Sequence, residues 1–260
     1  MTPKAILLGT GTSTGVPVIG KVYPPEFLAD KKNHRTRCAL LLQGRGGNVL
    51  VDAGPDIRQQ LLTHKVRSIE ACLITHTHAD HIMGLDDLRS FCQHTGRPVR
   101  VITSLQYQDD IRRVFPYAFL DFPPEIMVPR FDLEEPGERL EVAGMSIEIM
   151  WVEHGPHPVM AVRVGDFAYV TDVSRIPESA WERLQGLDTL VLDAVRIKPH
   201  PNHFHLAAAL DTASQLGARK TYLTHLSDDF DHTRDEPSLP EGVSFAYDGL
   251  GIDIVGTEES

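Results

Sequence analysis

The residues His76-Thr77-His78-Ala79-Asp80-His81 gather three imidazoles and a carboxylate within six positions. They follow Ala71-Cys72-Leu73-Ile74-Thr75, a short apolar run that fits a buried strand. In extended backbone, residues two apart project to one side, so His76 and His78 can hold one metal ion together. Asp80 and His81 come after the chain turns towards a helix and can face a second ion. This donor set suits zinc or manganese, and iron as well. The bland alternative is a solvated polar loop, but such loops seldom collect these ligands. The chain has 13 histidines. Their clustering says more than their number, because histidine is both a common ligand and the usual acid–base residue near neutral pH.

Strands must deliver these side chains. Ala5–Leu8 reads as a strand, and Gly9–Gly15 follows as a tight glycine loop. That loop spells GxGxxxG rather than GxGxxG, with no helix directly after it, so it is a poor dinucleotide fingerprint. It reads either as backbone passing close to the metals or a substrate phosphate, or as a plain turn. Residues 38–43 and 48–52 read as a strand pair across Gly44-Arg45-Gly46-Gly47. Further strands are expected at 99–103, 146–152, 161–164, 167–171, 189–193 and 221–224. Helices are expected at 57–64, 104–115, 180–184 and 206–216. Leu85, Leu88, Cys92 and Thr95 share one helical face, with Gly96 as the stop. Residues 116–136, rich in proline and aromatics, read as irregular or edge structure, and the tail from Thr257 as frayed. With no repeat and no linker in view, the simplest architecture is one domain over residues 1–260. It has two packed sheets with helices outside.

Composition narrows the function. The 260 residues carry a formal net charge of -11, with 42% hydrophobic and 23% charged residues. Such a surface repels bulk nucleic acid and anionic membrane, yet a bound metal pair can reverse the sign locally. The apolar run at 5–8 is too short for a signal-peptide core or a membrane span, which predicts a cytoplasmic protein with no membrane partner. The cysteines Cys38, Cys72 and Cys92 are widely spaced, and read as small buried residues rather than disulfides or zinc ligands.

His76-x-His78-x-Asp80-His81 resembles the signature of the metallo-β-lactamase superfamily, and the resemblance covers nearly the whole chain. Val49-Leu50-Val51-Asp52-Ala53-Gly54 resembles the family's early aspartate strand, which supports the metal loop. Val152-Glu153-His154-Gly155 resembles its next metal histidine, Tyr169-Val170-Thr171-Asp172 its bridging-aspartate strand, and Leu223-Thr224-His225 its final histidine. The resemblance implies a four-layer αββα sandwich of two mixed β-sheets. It implies two divalent ions, one on His76, His78 and His154, the other on Asp80, His81 and His225, with Asp172 bridging both. Five neutral imidazoles and two carboxylates around two divalent ions leave about two positive charges, which favours an anionic substrate.

Finer motifs resemble the branch containing phosphoribosyl 1,2-cyclic phosphate phosphodiesterases, with ribonuclease Z as a wider relation. These are Asp80–Arg89, the stretch Pro199-His200-Pro201-Asn202-His203-Phe204-His205-Leu206, Thr10-Gly11-Thr12 near the start and Tyr247-Asp248-Gly249 near the end. By position, His203 is the histidine outside the metal set that assists cleavage, with His200 and His205 as rivals. Asp80 joins it as a catalytic residue, and His200 and Ser227 as substrate contacts. The implied reaction is hydrolysis of a small phosphodiester, cyclic ribose phosphates included, by a hydroxide held between two metals. His203 stabilises charge on the phosphoryl oxygens or protonates the departing sugar oxygen. For His34, His64, His94, His157 and His232 a surface role is the better reading, and for Arg35, Arg37 and Arg89 a solvated one.

The branch carries a cysteine cluster after the region of Gly20 that binds a structural zinc. Here that place reads Lys21-Val22-Tyr23-Pro24-Pro25, so no such zinc is expected. Three rivals remain: RNA 3′ processing, for which no basic arm is visible; hydrolysis of an ester, lactone or thioester on the same fold; and metal or nucleotide binding without turnover. A homodimer is a further expectation. Residues 115–122 would supply an interface or substrate rim, or core packing.

Overall fold

In β2 (Ala39–Gly44) and β3 (Gly47–Val51), alternate residues face opposite sides of a sheet, and both sides are apolar. Leu40, Leu42, Val49 and Val51 point inward to a core shared with a second sheet. Leu41 and Leu50 point outward, against Ile57, Leu61, Leu85 and Leu88 of flanking helices. Burial on both faces is why these strands read as continuous apolar runs. Each fully buried leucine stabilises the fold by roughly 1.5–3 kcal/mol.

The computed structural model describes residues 2–123 and 125–256, so the tail from Thr257 lies outside the described residues. Before β2 comes β1 (Lys4–Gly9), and after β3 come β4 (Ala71–Leu73), β5 (Val99–Ile102) and β6 (Phe131–Glu134). The second sheet holds β7 (Arg139–Val142), β8 (Met145–His154), β9 (His157–Val164), β10 (Phe167–Val170), β11 (Thr189–Asp193), β12 (Lys220–Thr224) and β13 (Val243–Phe245). The chain then returns to the first sheet as β14 (Leu250–Asp253). The orders are β14-β1-β2-β3-β4-β5-β6 and β13-β12-β11-β10-β9-β8-β7. Both sheets are mixed: β3 to β6 run parallel, as do β10 to β13.

The second sheet repeats the logic of the first. Phe167 and Tyr169 enter the core between the sheets, while Ala168 and Val170 face Ala180, Leu184, Ala209 and Leu216. Helices Ile57–Thr63, Arg89–Thr95 and Leu105–Val114 cover one sheet; Glu178–Arg183 and Leu206–Leu216 cover the other. The result is the αββα sandwich. Gly96 ends its helix in the left-handed region at φ 68°.

Some elements escaped the sequence. β7 is an edge strand, largely exposed; β13 has three residues; β14 is interrupted by glycine. Within 116–136, Ala118 and Phe131 pack into the core with the preceding Phe115, and Phe131 opens the edge strand β6. Phe119, Leu120 and Phe122 are exposed. The three cysteines are buried and unpaired. Two solvated readings are corrected. Arg35 is only 1% exposed, because its guanidinium donates to the carbonyls of Ser227 and Phe230. His232 is buried too, its backbone N–H donating to Asn33 Oδ1 and its ring against Phe245 and Tyr247. Among the described residues no helix is long and apolar enough to cross a membrane.

Candidate metal centre

Six strand ends converge on one site. Asp52 directly follows β3, His76 and His78 leave the segment after β4, and His154 ends β8. Asp172 lies two residues past β10, Asp193 ends β11, and His225 directly follows β12. Parallel neighbours present their carboxyl ends side by side, which is what gathers residues so far apart in sequence. Asp52, Asp172 and His225 stand at φ 64°, 48° and 58°, in the left-handed region. Such strain at three non-glycine residues persists only where the surroundings over-determine it, and it clusters at functional sites.

Ligand atoms of His76, His78, His154 and Asp172 lie within 4.8 Å of one another, and so do those of Asp80, His81 and His225. The Asp172 carboxylate stands between the groups. Its Oδ1 is 3.3 Å from His81 Nε2, and its Oδ2 is 3.4 Å from His225 Nε2 and 3.8 Å from His76 Nε2. Asp80 Oδ2 is 3.3 Å from His81 Nε2 and 3.6 Å from His225 Nε2. Asp172, His203 and His225 form a third group with the same spacing.

The outer partners fix the tautomers. His81 Nδ1 donates to Asp52 Oδ2 at 2.7 Å, and His154 Nδ1 donates to the Asn202 carbonyl at 2.6 Å. With the proton on Nδ1, each ring turns an Nε2 lone pair inward, as a metal requires. His81 Nε2 and His225 Nε2 are buried without a hydrogen-bond partner. Orphaned imidazole nitrogens facing carboxylate oxygens fit one or more divalent cations.

The electrostatics agree. Burial is the first reason that His76 and His78 sit below the ordinary histidine pKa, and it pushes His154 down to about 4. These rings are neutral, ready to ligate. For His225, burial opposes the charge, but Asp172 and then Asp80 and Asp193 outweigh it, raising the ring to about 9. Burial likewise opposes charge on Asp172, and His225 and His81 hold its carboxyl well below the usual range all the same. The carboxylates thus attract positive charge into a buried pocket.

A β-lactamase superfamily domain matches residues 47–226. The chain belongs to the metallo-β-lactamase superfamily. It carries that superfamily's metal-dependent hydrolase fold, and its His/Asp groups are sites for divalent metal. A diphosphatase of the PhnP family is 36% identical, with a TM-score of 0.89 over 97% of both chains. The octanoyltransferase of Porphyromonas gingivalis is 35% identical over 95% of this chain and 51% of its own length. The chain therefore spans about half the length of that relative. A ribonuclease Z of Crocosphaera subtropica is 28% identical over 55% of this chain and 43% of its own length. The metallo-β-lactamase frame explains why these ligands sit on strand ends.

The three histidines of the 200–205 stretch lie differently with respect to the metal groups. His203 Nε2 lies 4.0 Å from Asp172 Oδ2, while Nδ1 donates to Asp193 Oδ2 at 2.8 Å. His200 stacks edge-on to His203 at 4.9 Å between centroids, and its Nδ1 accepts from Asn202 N at 3.2 Å. His205 heads the helix Leu206–Leu216 and joins none of the three groups. Ser227, two residues past His225, is half-buried, with its hydroxyl accepting weakly from Asp229 N at 3.3 Å. Asp193 escaped the sequence reading. It looked like the plain end of an apolar strand, and its partner lies ten residues on across a loop.

The glycine loop does more than turn, and passes close to the metal groups. Thr12 N donates to the Leu226 carbonyl and Leu226 N to the Thr10 carbonyl, so the loop grips the backbone after His225. A Cβ at Gly11 would stand 2.6 Å from the Arg35 carbonyl oxygen, so only glycine fits.

Proposed function

We propose that the chain hydrolyses a small phosphodiester at a binuclear centre. His76, His78 and His154 would hold one ion, Asp80, His81 and His225 the other, and Asp172 would lie between. The observation that carries this reading is the Asp193–His203 pair. It aims an acid–base nitrogen at the carboxylate between the two groups, 4.0 Å away. Divalent ions in these groups would supply Lewis acidity and activate a water near neutral pH. Because Asp193 keeps the Nδ1 proton of His203, any proton exchanged with substrate moves at Nε2. A protonated Nε2 passes its proton to the departing oxygen, and the ring returns to the Nδ1–H form held by Asp193. Asp80 Oδ2 faces the His81 and His225 Nε2 atoms and would share their ion. With Nδ1 accepting from Asn202 N, His200 carries its proton on Nε2, and with Ser227 it offers a donor to a non-reacting phosphoryl oxygen. The charge of -11 favours a small anion over a long nucleic acid.

A diphosphate is the second reading, because a diphosphatase is 36% identical along almost the whole chain. It requires the same attack at phosphorus with a phosphate leaving group. The test measures bound metal and turnover on bis-p-nitrophenyl phosphate, ribose cyclic phosphates, a diphosphate ester, a lactone and a thioester. Asp172→Ala and His203→Ala should lower turnover at phosphorus by about 10²-fold or more. Turnover of lactone or thioester with none at phosphorus would overturn the proposal, and cleavage of precursor transfer RNA at low salt would redirect it to RNA processing.

A further inference from the structure

Two motifs from opposite ends of the chain meet beside the metal centre. Asp248 Oδ1 accepts from Thr10 N at 2.9 Å and from Thr10 Oγ1 at 2.8 Å. Its Oδ2 accepts from Thr36 N at 2.8 Å and from Thr36 Oγ1 at 2.6 Å. Four donors on one carboxylate make a saturated joint. From there the chain of bonds leads to His225. The Thr10 carbonyl accepts from Leu226 N at 2.9 Å, and Thr12 N donates to the Leu226 carbonyl at 3.1 Å. On the other side, Ala194 N donates to the Thr224 carbonyl at 3.0 Å. His225 stands between these anchors at φ 58°, in the left-handed region that few non-glycine residues occupy.

Asp52 and His225, both left-handed, are not held alike. Asp52 is fixed within the first sheet and its helix: its N–H donates to Leu73 O, and Ala53 N donates to His81 O. The backbone after His225 is held by the Gly9–Gly15 loop, and that loop is itself held by Asp248. Loss of the joint should therefore loosen His225 and leave His76, His78 and His154 in place.

We infer that Asp248 is a positioning residue that sets the affinity of the His225-containing metal group through Thr10 and Leu226. This rests on the binuclear reading. In Asp248→Asn the amide must turn its NH2 towards either Thr10 or Thr36, setting donors against donors. The full chain is stripped with chelator, then titrated with zinc against a chromophoric chelator, and with cobalt to follow the d–d spectrum. Thermal melts of the metal-free proteins run alongside. Asp248→Asn should weaken one ion by about tenfold, change its cobalt spectrum, and leave the other ion within about twofold. Thr10→Val should move in the same direction, and Thr10→Ser, which keeps the hydroxyl, should restore the wild-type value. Two unchanged affinities would overturn the inference. So would a parallel loss of both ions that tracks a lowered melt, since that marks general destabilisation. If Asp248→Asn does not fold, Thr10→Val against Thr10→Ser is read by the same criteria. A wild type that takes up one ion defeats the binuclear reading. Asp248 is then judged on that single ion, with a tenfold loss upholding its role and an unchanged affinity overturning it.

Discussion

Replacing Asp52 by Asn alters one atom in a fully buried carboxylate, and the geometry dictates the consequence. Asp52 Oδ1 accepts from Thr75 N at 2.8 Å, and Oδ2 accepts from His81 Nδ1 at 2.7 Å; Thr75 Oγ1 reaches both, at 3.1 and 2.9 Å. An asparagine can keep only one of these oxygens. If its NH2 faces Thr75, a buried backbone N–H loses its acceptor, at a cost of roughly 1–3 kcal/mol. If its NH2 faces His81, Nδ1 must accept, and the ring proton moves to Nε2, which lies 3.3 Å from both Asp80 Oδ2 and Asp172 Oδ1. That proton occupies the lone pair an ion needs. Either way the affinity of the Asp80/His81/His225 group should fall about ten- to a hundredfold, or about 1.4–2.7 kcal/mol. Zinc competition with a chromophoric chelator measures it, and turnover at saturating zinc shows whether the reloaded site still works. Metal affinity within twofold of wild type, in a folded Asp52→Asn protein, would refute the tautomer argument.

Other expectations follow from the same geometry. Asp193→Asn should lower kcat on a phosphodiester by about 10²-fold even at saturating metal, since His203 loses its carboxylate partner; steady-state kinetics and metal analysis on one sample check it. Gly54→Ala should destabilise the chain by roughly 1–3 kcal/mol in urea and weaken metal uptake, because the new methyl collides with the Asp80 carbonyl. In the metal-free protein, the neutral His154 ring, pushed by burial to about 4, is protonated more readily in the unfolded chain. Its folded pKa is depressed, so between about 6.5 and 4 the unfolded state binds the extra proton, and stability falls with pH by up to about 1.4 kcal/mol per unit. Urea midpoints at pH 7 and pH 5 should therefore fall less in His154→Gln than in wild type; equal falls would contradict the assignment.

What the sequence determined by itself was local. Three imidazoles and a carboxylate within six residues named the chemistry, and apolar runs ending at Asp52, Thr75, Asp172 and His225 named the strands that deliver it. These are properties of neighbouring residues, so periodicity and side-chain type expose them. Tertiary structure alone decided which polar groups meet. The bond from His203 Nδ1 to Asp193, which His200 and His205 lack, is visible only in the fold. Arg35 resembled any solvated arginine until the carbonyls of Ser227 and Phe230 enclosed it. Thr10 and Asp248 are 238 positions apart, and no local pattern predicts their bond. Nor does one predict the left-handed turn at His225, uncommon outside glycine. The physical reason is one and the same. A hydrogen bond between distant residues exists only after the sheets have packed, and the packing energy that joins them comes from leucines and valines elsewhere in the chain.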